Sequence, residues 1–427
     1  MNLEKFLFKK IYVWVFLLFV ILSFVFTIIF GSLVNYFSNG GHRFSYLKPL
    51  TYFLISIPKD VARIFEPNIH GLALDQSKFK NLSGLYLYEG NLEGYLLLAK
   101  VDENYTKPKV ELIDINQKKI IHSWEFDLNK YKNYRNKKIK TFQMKHPFLF
   151  NNGDLLFKDQ NGPLILINRC SEIKWAKIGS YHHSIEIDHN QHIWTGSAID
   201  IDGFFHNSII KISKEGVIKF EKAINEIFAE NNLSHLIVTA KETGNPIHLN
   251  DIQPVLTDGS FWKKGDLFLS LRNLSMIMLY RPSTNKVLWY QQGPWIYQHD
   301  VNIISENDIS IFNNNLNLEK NKVKNNNETL IYNFLNNKTS NPYKKAYEIN
   351  KIATPEAGLS VILKNGDIFV EETLNGRLLR MDKNGKIIWQ YINRLKNNKL
   401  YILSWSRYLN NEVISKKLIG DLKKTCL

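Results

Sequence analysis

Four histidines occupy the same place in a repeated sequence pattern. His146, His183, His248 and His299 each open a stretch that continues as an apolar run, a polar turn and a second apolar run, and a fifth such stretch opens on Ala357. Imidazole can act as a nucleophile, exchange a proton near neutral pH or bind a transition metal ion. A single histidine at such a position is most often a structural turn residue, but four in the same register predict a histidine cluster.

The elements that must position these histidines are short β-strands. Each stretch is followed by a second two-strand pattern with a polar turn and an aromatic residue near its end. One unit thus holds four strands in about 40 to 60 residues, as a propeller blade does. Second halves of this kind begin at Ile113, Leu166, Ile209, Leu279 and Leu378, and a weaker sixth begins at Leu330.

The repeat predicts an all-β fold, with a six-bladed β-propeller over residues 79–427. Helix is expected only at Pro49–Phe65 and Lys222–Asn232. The first strand of each propeller blade lines the central channel, so the histidines are expected to converge at the mouth of that channel. The stretch from Lys399 is expected to close the ring by pairing with strands between Gly84 and Lys100, which avoids an exposed sheet edge.

The N-terminal segment predicts a membrane anchor. Residues 11–30 are apolar and carry no charge, and about twenty such residues cross a hydrocarbon core of about 30 Å. Lysines precede this segment, so the positive-inside tendency keeps residues 1–10 in the cytoplasm. The propeller would then lie outside the cytoplasm, in the periplasm if the organism is bacterial. A cleaved signal peptide is the alternative, disfavoured by the length of the apolar run and by the lack of an Ala-x-Ala pattern after it.

Residues 31–78 are expected to form a juxtamembrane linker and helix. The helix at Pro49–Phe65 mixes apolar and basic residues, so it is expected either along the membrane surface or packed against the propeller.

The charge and the cysteines limit the partners. The formal charge is +15, but no basic helix, zinc knuckle or basic motif with interleaved aromatics accompanies it, so nucleic acid is not an expected partner. Anionic small molecules or lipid headgroups fit the charge better. Cys170 and Cys426 are the only cysteines. They could form one disulfide bond outside the cytoplasm, although their spacing does not indicate it. The asparagine-rich stretch from Asn313 predicts a solvated surface loop.

An ordered set of motifs lies between His182 and Arg377. It comprises His248-Leu-Asn250, Gly265-Asp266, Ser270-Leu-Arg272, Trp289 and Gln298-His299. In this order the motifs resemble the arylsulfotransferase family, whose members move a sulfuryl group between phenols through a histidine and without a nucleotide. The resemblance implies a six-bladed propeller with its active site over the central channel, which agrees with the number of repeats.

The same resemblance implies the site residues. His299 would carry the sulfuryl group, and Arg272 offers a planar fork of donors that matches sulfate oxygens. The expected catalytic residues are His299, His248, Arg272 and His183, and the expected substrate-binding residues are Asn250 and His182. The family histidine corresponds to His182 or His183, and His183 is favoured because it keeps the register of the other repeats. Adjacent strand residues point to opposite faces, so only one of this pair is expected to enter the site.

The resemblance implies a sulfotransferase that transfers a sulfuryl group from an aryl sulfate to a phenol through a sulfohistidine, and the N-terminal segment predicts that this enzyme is membrane-anchored and extracytoplasmic. The resemblance implies no cofactor and no metal ion. The main alternative is a non-catalytic propeller that binds a ligand or a protein. A quinone-dependent dehydrogenase is disfavoured by the number of repeats and by the lack of a vicinal cysteine pair or an acidic metal-binding cluster. A histidine-metal enzyme is the remaining alternative.

Overall fold

The structure is a computed structural model that describes residues 12–38, 41, 43–65, 71–90, 92–101, 107–127, 142–159, 161–201, 204–240, 244–317 and 322–426. The chain divides into two compact units, residues 1–70 and residues 71–427. The predicted cytoplasmic tail at residues 1–10 lies outside the described residues.

The first unit contains two long helices, α1 (Val13–Ser38) and α2 (Lys48–Phe65). Within the described residues, α1 is the one helix that is long and apolar enough to cross a membrane, and most of its side chains are exposed. An apolar helix of this length fits a membrane span or a signal sequence. It continues beyond the predicted end at Phe30, because no charged residue interrupts the sequence there. The helix predicted at Pro49–Phe65 is confirmed as α2.

The second unit consists mainly of β-strands. Its described helices are α3 (Ile224–Glu230), α4 (Ser234–Val238), α5 (Lys344–Ile349) and α6 (Lys416–Leu422). Its described strands are β1 (Gly84–Leu87), β2 (Tyr95–Ala99), β3 (Lys109–Asp114), β4 (Lys119–Glu125), β5 (Lys145–Leu149), β6 (Leu155–Lys158), β7 (Gly162–Ile167), β8 (Ile173–Ile187), β9 (Ile193–Ile201), β10 (Phe204–Ile212), β11 (Ile218–Ala223), β12 (Leu249–Pro254), β13 (Leu267–Leu271), β14 (Met276–Arg281), β15 (Lys286–Gln292), β16 (Val301–Ile303), β17 (Asp308–Asn313), β18 (Leu316–Asn317), β19 (Lys322–Val323), β20 (Glu328–Asn333), β21 (Lys338–Ser340), β22 (Leu359–Ile362), β23 (Ile368–Glu372), β24 (Arg377–Met381), β25 (Ile387–Ile392) and β26 (Arg407–Leu409). The helix predicted at Lys222–Asn232 is confirmed as α3. The other three helices are not predicted from the sequence, since helices of five to seven residues show little helical period.

Asn-Gly-Asp turns close two of the repeated hairpins as the sequence predicts. Gly153 and Gly366 adopt φ angles of 86° and 84°, in the left-handed region that glycine enters without steric cost. Their N–H groups donate to the carbonyl oxygens of Phe150 and Leu363, which begin the turns. The turns therefore fix the register of β5 with β6 and of β22 with β23.

The strands form a propeller-like, all-β arrangement. Four sheets have the order of a propeller blade: β12-β13-β14-β15, β16-β17-β20-β21, β26-β2-β3-β4, and β22-β23-β24-β25 with β1 added at its edge. The remaining large sheet has seven strands, β5 to β11 in chain order. The prediction of six separate four-stranded blades is therefore wrong.

A single long strand explains this difference. β8 contains 15 residues, and it pairs with β7 through its first part and with β9 through its last part. The second and third repeats of the sequence thus share a continuous strand. The sequence pattern identified their strands but could not show that hydrogen bonding continues from one repeat into the next.

Apolar side chains fill the space between neighbouring sheets. One buried cluster combines Leu112 and Trp124, from the sheet that contains β3 and β4, with Leu155 and Ile165 from β6 and β7. Leu418 of α6 joins the same cluster. The core therefore lies between the sheets and holds them at fixed angles.

The predicted ring closure is confirmed. β26 pairs antiparallel with β2, with Leu409 opposite Tyr95 and Arg407 opposite Leu97. Leu403 forms a further bridge with Lys100. The C-terminal segment therefore supplies the first strand of a sheet whose other strands come from the start of this unit.

Polar side chains tie the first strands of successive sheets together. Val301 N donates to Asp251 Oδ2 at 2.9 Å, and Ser360 N donates to Asp300 Oδ2 at 3.1 Å. Ile252 N donates in the same way to Ser184 Oγ at 3.0 Å. The bonds of Val301 and Ile252 join segments that carry the histidines, so they hold the histidine-bearing backbone of neighbouring sheets in a fixed relation.

The two cysteines form a disulfide bond between Cys170 and Cys426. Cys170 lies in the turn between β7 and β8, and Cys426 follows α6. The bond therefore attaches the C-terminal segment to the seven-stranded sheet. Disulfide bonds persist mainly in oxidising compartments.

Candidate active site

The structure brings together three histidines from different strands. The rings of His183 and His248 lie 5.1 Å apart between centroids, and their Nε2 atoms are separated by 3.0 Å. The ring of His299 lies 5.9 Å from that of His183. His183 belongs to β8, His248 directly precedes β12, and His299 lies just before β16. The cluster therefore forms where β12 and β16 begin, beside the last part of β8.

Both members of the His182–His183 pair enter the cluster. The ring of His182 lies 3.8 Å from that of His183 and 5.1 Å from that of His248. The prediction that only one of the pair would enter is wrong, because the register of β8 with β9 shifts between His182 and Ile185. His183 adopts a φ of 51°, and this local break removes the regular alternation of side chains on which the prediction depended.

His299 does not share the register of the other repeated histidines. His146, His183 and His248 have φ angles of 50°, 51° and 50°, and the corresponding left-handed residue before His299 is Tyr297, with a φ of 55°. His299 therefore lies two positions after the left-handed residue of its own repeat. The equivalent position in the preceding repeat, two residues after His248, is occupied by Asn250. The predicted four-histidine register is wrong at this position.

His248 and His299, the two central histidines, each contact an asparagine through Nδ1. Asn314 Oδ1 lies 2.6 Å from His299 Nδ1, and Asn245 Nδ2 lies 2.9 Å from His248 Nδ1. The backbone N–H of Ala357 donates to His299 Nε2 at 3.1 Å. The contacts at Nδ1 fix the orientation of both rings, and the ring of His299 is held at Nε2 as well.

Arg272 lies at the edge of the cluster, directly after β13. Its guanidinium carbon is 4.3 Å from the centroid of the Tyr297 ring, so the cation lies over an aromatic face. Nη1 donates to Asn273 Oδ1 at 2.9 Å, and Nη2 is 3.7 Å from a carboxylate oxygen of Glu356, whose side chain is 59% exposed. The positive charge of Arg272 lowers the pKa of both His248 and His299, although less than burial does.

Asn250 connects the strand after His248 to the residue before His299. Its Nδ2 donates to the backbone oxygen of Gln298 at 2.9 Å. Gln298 in turn donates to Ser270 Oγ and to the backbone oxygen of Met276. Asn250 and Gln298 are fully buried. In this structure Asn250 therefore helps to fix the backbone that carries His299.

Burial keeps the histidines neutral near pH 7. It lowers the pKa of His182, His183 and His299 well below the usual range, and it lowers the pKa of His248, with a contribution from Arg272, to about 3. Withdrawal from water disfavours the charged imidazolium. Neutral imidazole keeps a lone pair, which both a nucleophile and a proton acceptor require.

Lowering the pH should remove stability that neutral His248 gives to the folded state. An unfolded histidine titrates near about pH 6.5, whereas the pKa of folded His248 is about 3. Between these values the unfolded chain binds a proton that the folded chain does not. The free energy of unfolding therefore falls as the pH falls, by at most about 1.4 kcal/mol per pH unit.

We expect urea titrations of the wild type and the His248→Gln variant to show a stability difference that narrows from pH 7 to pH 4. Taking the difference cancels the contribution of Asp300. Burial raises the pKa of that residue to about 7, so it acts with the opposite sign. A difference that stays constant over this range would contradict the expectation.

His182, His183 and His248 are also the described residues that could hold a metal ion. One ligand atom of each lies within 4.8 Å of the others. Three imidazoles suit zinc, copper or nickel.

Sequence reasoning missed several residues around the cluster. Asn245 precedes His248 by three residues but belongs to no recognised motif, and Asn314 lies in the stretch predicted to be a solvated loop. That prediction is wrong for its first part, because Asn313 and Asn314 are 1% and 0% exposed. A run of asparagines gives no signal that separates a buried hydrogen-bonding residue from a surface one.

The sequence predicts that His146 joins the histidine cluster but gives it no catalytic or substrate-binding role. Its ring stacks on Trp405 at 4.4 Å and lies 6.3 Å from the ring of His183. Lys158, opposite Lys145 on the neighbouring strand, is 1% exposed, and burial lowers its pKa to about 7. These residues extend the cluster toward the strand that closes the ring.

Comparison with solved structures gives only weak likenesses. A protein of unknown function from Bacteroides caccae has a TM-score of 0.48 and 13% identity, over 74% of this chain and 99% of that chain. The Cps50 (Swd1) β-propeller domain of Myceliophteria thermophila has a TM-score of 0.43 and 9% identity, over 75% and 99%. A streptogramin B lyase has a TM-score of 0.41 and 14% identity, over 77% and 98%. A search of curated protein sequences gave no significant match.

A comparison with protein-family models gives a specific match. The model described as arylsulfotransferase (ASST) matches residues 139–394, a segment that begins before His146 and ends after Arg377. This segment includes every residue of the histidine cluster, Arg272 and the asparagines Asn245 and Asn314. It covers more than half of the 427 residues. The chain therefore belongs to the arylsulfotransferase (ASST) family.

Proposed function

We propose that this chain is a membrane-anchored, extracytoplasmic sulfotransferase that moves a sulfuryl group from an aryl sulfate to a phenol through a sulfohistidine on His299. The observation that carries the proposal is a cluster of buried and half-buried, neutral histidines beside Arg272, within the segment that the family matches. A neutral imidazole nitrogen is a good nucleophile, and a covalent intermediate divides one difficult displacement into two easier ones.

In the first half of the reaction, His299 Nε2 attacks the sulfur of the aryl sulfate. The N–S bond forms as the S–O bond to the aryl group breaks, and the bonding electrons leave with the phenolate oxygen. Asn314 Oδ1 accepts a hydrogen bond from His299 Nδ1 and so stabilises the positive charge that the ring gains. In the second half a phenol oxygen attacks the sulfur and the N–S bond breaks. A neighbouring histidine, His183 or His248, then takes the phenol proton.

Arg272 is proposed to bind the sulfuryl oxygens. Sulfuryl transfer, like phosphoryl transfer, places negative charge on the equatorial and leaving oxygens, and positioned cations stabilise that charge. The guanidinium of Arg272 packs on the aromatic face of Tyr297, which helps to hold it in place. The nearby Glu356 is mostly exposed, so a sulfate group could replace it as the partner of the fork. Asn250 and His182 are proposed to contact the substrate as well.

The backbone N–H of Ala357 suggests how the substrate frees the nucleophile. It donates to His299 Nε2 in this structure, so the lone pair needed for attack is in a hydrogen bond. A sulfuryl oxygen is an acceptor for the same N–H, and its arrival would release the lone pair. The same hydrogen bond favours the second candidate function, a propeller that only binds an anion, because a permanently engaged Nε2 could not attack.

The proposed location rests on two further observations. α1 is long and apolar enough to anchor the chain in a membrane, and Cys170 forms a disulfide bond with Cys426. Disulfide bonds are rare in the cytoplasm and common in the periplasm and outside cells. The helix supports attachment to a membrane, and the disulfide bond supports an extracytoplasmic second unit, which would be periplasmic in a bacterium. The predicted domain limits, residues 31–78 for the linker and 79–427 for the propeller, remain part of this proposal.

The proposal is tested by intact-mass analysis of the full chain in detergent after brief mixing with 4-nitrophenyl sulfate. We expect a gain of about 80 Da, the mass of one SO3 group, on the peptide that contains His299. Peptide mapping must avoid acid, because an N–S bond to imidazole is acid-labile. The His299→Gln variant, treated in the same way, should gain no mass.

Two results would count against the proposal. An adduct of equal yield in the His299→Gln variant would place the nucleophile elsewhere. If several aryl sulfates gave neither an adduct nor a released phenol, the anion-binding function would be favoured instead.

A further inference from the structure

Two asparagine side chains contact the Nδ1 atoms of the two central histidines with opposite polarity. Asn245 presents its amide nitrogen to His248 at 2.9 Å, and Asn314 presents its amide oxygen to His299 at 2.6 Å. In a neutral imidazole one nitrogen carries the hydrogen and the other carries a lone pair. If both amide orientations are fixed by their surroundings, the two rings must hold their hydrogens on different nitrogens.

The orientation of Asn245 follows from backbone groups that can only donate. Leu249 N donates to Asn207 Oδ1, so Asn207 turns its Nδ2 toward Asn245 Oδ1. His248 N donates to Asn245 Oδ1 as well. With two donors on its oxygen, Asn245 must direct its Nδ2 at His248 Nδ1, which accepts. The hydrogen of His248 is then on Nε2 and points to His183 Nε2, 3.0 Å away.

The orientation of Asn314 follows from carbonyl groups that can only accept. Its Nδ2 donates to the backbone oxygens of Thr354 at 3.1 Å and Ala357 at 2.8 Å. Its Oδ1 therefore faces His299 Nδ1, which must donate. The N–H of Ala357 gives an independent argument, because it donates to His299 Nε2 and so requires a lone pair there.

We infer that Asn245 and Asn314 are positioning residues that assign different roles to His248 and His299 in the proposed reaction. Asn314 keeps the lone pair of His299 on Nε2, the atom that attacks sulfur. Asn245 keeps a hydrogen on Nε2 of His248 and makes this ring a neutral hydrogen-bond donor to the departing phenolate oxygen. The inference rests on the proposed function, which leaves open whether His183 or His248 takes the phenol proton. The hydrogen positions decide between these two histidines.

The proton balance supports a donor role for His248 and an acceptor role for His183. Neutral His248 has one ring hydrogen, and losing it would leave an unfavourable imidazolate, so the phenolate departs as an anion. His183 Nε2 accepts from His248, and its lone pair becomes available when a phenol oxygen takes that hydrogen bond. The proton of the acceptor phenol then goes to His183 Nε2. A positioned donor aimed at developing charge is worth about 100- to 1,000-fold in rate.

The same hydrogen position disfavours a metal ion at this place. A metal ligand nitrogen must carry a lone pair, whereas Asn245 keeps a hydrogen on the Nε2 atom of His248 that faces His183. The three-histidine group is therefore arranged to donate and accept hydrogen bonds.

The ring hydrogens can be located without any substitution at the asparagines. Full-length protein with 15N-labelled histidine is studied by NMR in detergent at pH 8.5, and His248→Gln and His299→Gln variants assign the signals by their loss. We expect the hydrogen of His248 on Nε2 and that of His299 on Nδ1. A hydrogen on Nδ1 of His248, or on Nε2 of His299, overturns the inference.

The role of Asn245 is tested by comparing Asn245→Asp with Asn245→Ala at the same pH. An aspartate accepts from Nδ1 and so moves the lone pair of His248 to Nε2, whereas alanine leaves both tautomers open. We expect Asn245→Asp to lower kcat with phenyl sulfate by about 100- to 1,000-fold, and more than Asn245→Ala does. With 4-nitrophenyl sulfate both losses should stay within about tenfold, because that phenolate bears less charge on its oxygen.

A purely structural role predicts the opposite order, because aspartate preserves the shape of the side chain and alanine does not. A smaller loss of kcat in Asn245→Asp than in Asn245→Ala, or equal losses of kcat with both substrates, would therefore overturn the inference. Lack of any sulfohistidine in the wild type would instead remove the proposed function, and the NMR result would still decide whether the asparagines set the tautomers.

Discussion

Replacement of His299 by alanine should reduce sulfuryl transfer by at least about 1,000-fold, because the loss of a covalent nucleophile removes the reaction path itself. The remaining imidazoles cannot substitute for it. The ring of His183 is 5.9 Å away between centroids, so it does not occupy the position from which His299 Nε2 attacks. The measurement is the initial rate of phenol release from 4-nitrophenyl sulfate with an added acceptor phenol.

The alanine variant is also expected to be less stable. The sequence places His299 at a channel mouth, where its removal would leave the fold intact, but the side chain is 2% exposed and fully hydrogen-bonded. Alanine leaves Asn314 Oδ1 and the N–H of Ala357 without this partner, and each buried unpaired group costs about 1–3 kcal/mol. Activity must therefore be compared at a temperature well below the unfolding transition of the variant.

Two further variants separate chemistry from folding. His299→Gln can retain hydrogen bonds in this pocket but offers no nucleophile, so it should be inactive and closer to the wild type in stability. His235→Ala removes an exposed histidine of α4 and should leave the rate unchanged. Full activity of a folded His299→Gln variant would remove His299 from the mechanism.

Deletion of the chain from Lys399 should prevent the second unit from folding cooperatively. The deleted segment supplies β26, which closes the ring by pairing with β2. It also carries Leu400, Tyr401, Leu403 and Trp405, all at most 5% exposed. Each buried apolar side chain of this size contributes about 1.5–3 kcal/mol, which together approach the whole stability of an ordinary domain, about 5–15 kcal/mol.

The control for this deletion is Cys426→Ser, which opens the disulfide bond but keeps β26 and its core residues. Removal of a natural disulfide bond typically costs about 2–5 kcal/mol, so this variant should unfold cooperatively at a lower temperature. Thermal unfolding followed by circular dichroism distinguishes the two variants. A deletion variant that melts like Cys426→Ser would show that ring closure by β26 contributes little.

The amino-acid sequence was sufficient for those parts of the fold that depend on local patterns. Alternating apolar residues and Asn-Gly-Asp turns identify strands and hairpins because both act within a few residues. The pairing of the C-terminal stretch with strands at the start of the unit was also predictable, since an unpaired edge is unfavourable in a ring. The number of separate sheets was not predictable, because β8 continues through a point where the pattern suggests a break.

The site shows the same division. The residue types of the cluster, and the motif order that links His248, Arg272 and His299, were readable in the sequence. The entry of both His182 and His183 was not, because it depends on a shift in strand register between β8 and β9. The sequence predicts a solvated loop at Asn314, because composition alone cannot distinguish a buried asparagine from an exposed one.

The sequence by itself therefore determined the strand-rich architecture, the apolar N-terminal helix and the histidines and arginine available for chemistry, since these follow from residue type and short-range spacing. Tertiary structure decided which rings meet, which nitrogens face one another and which backbone groups complete the site. Asn207 lies far in the sequence from Asn245 and His248, which it helps to orient. The hydrogen bonds around His299 likewise join distant parts of the chain, through Asn314 and Ala357. Hydrogen-bond direction among such residues depends on contacts that form only when the sheets pack together.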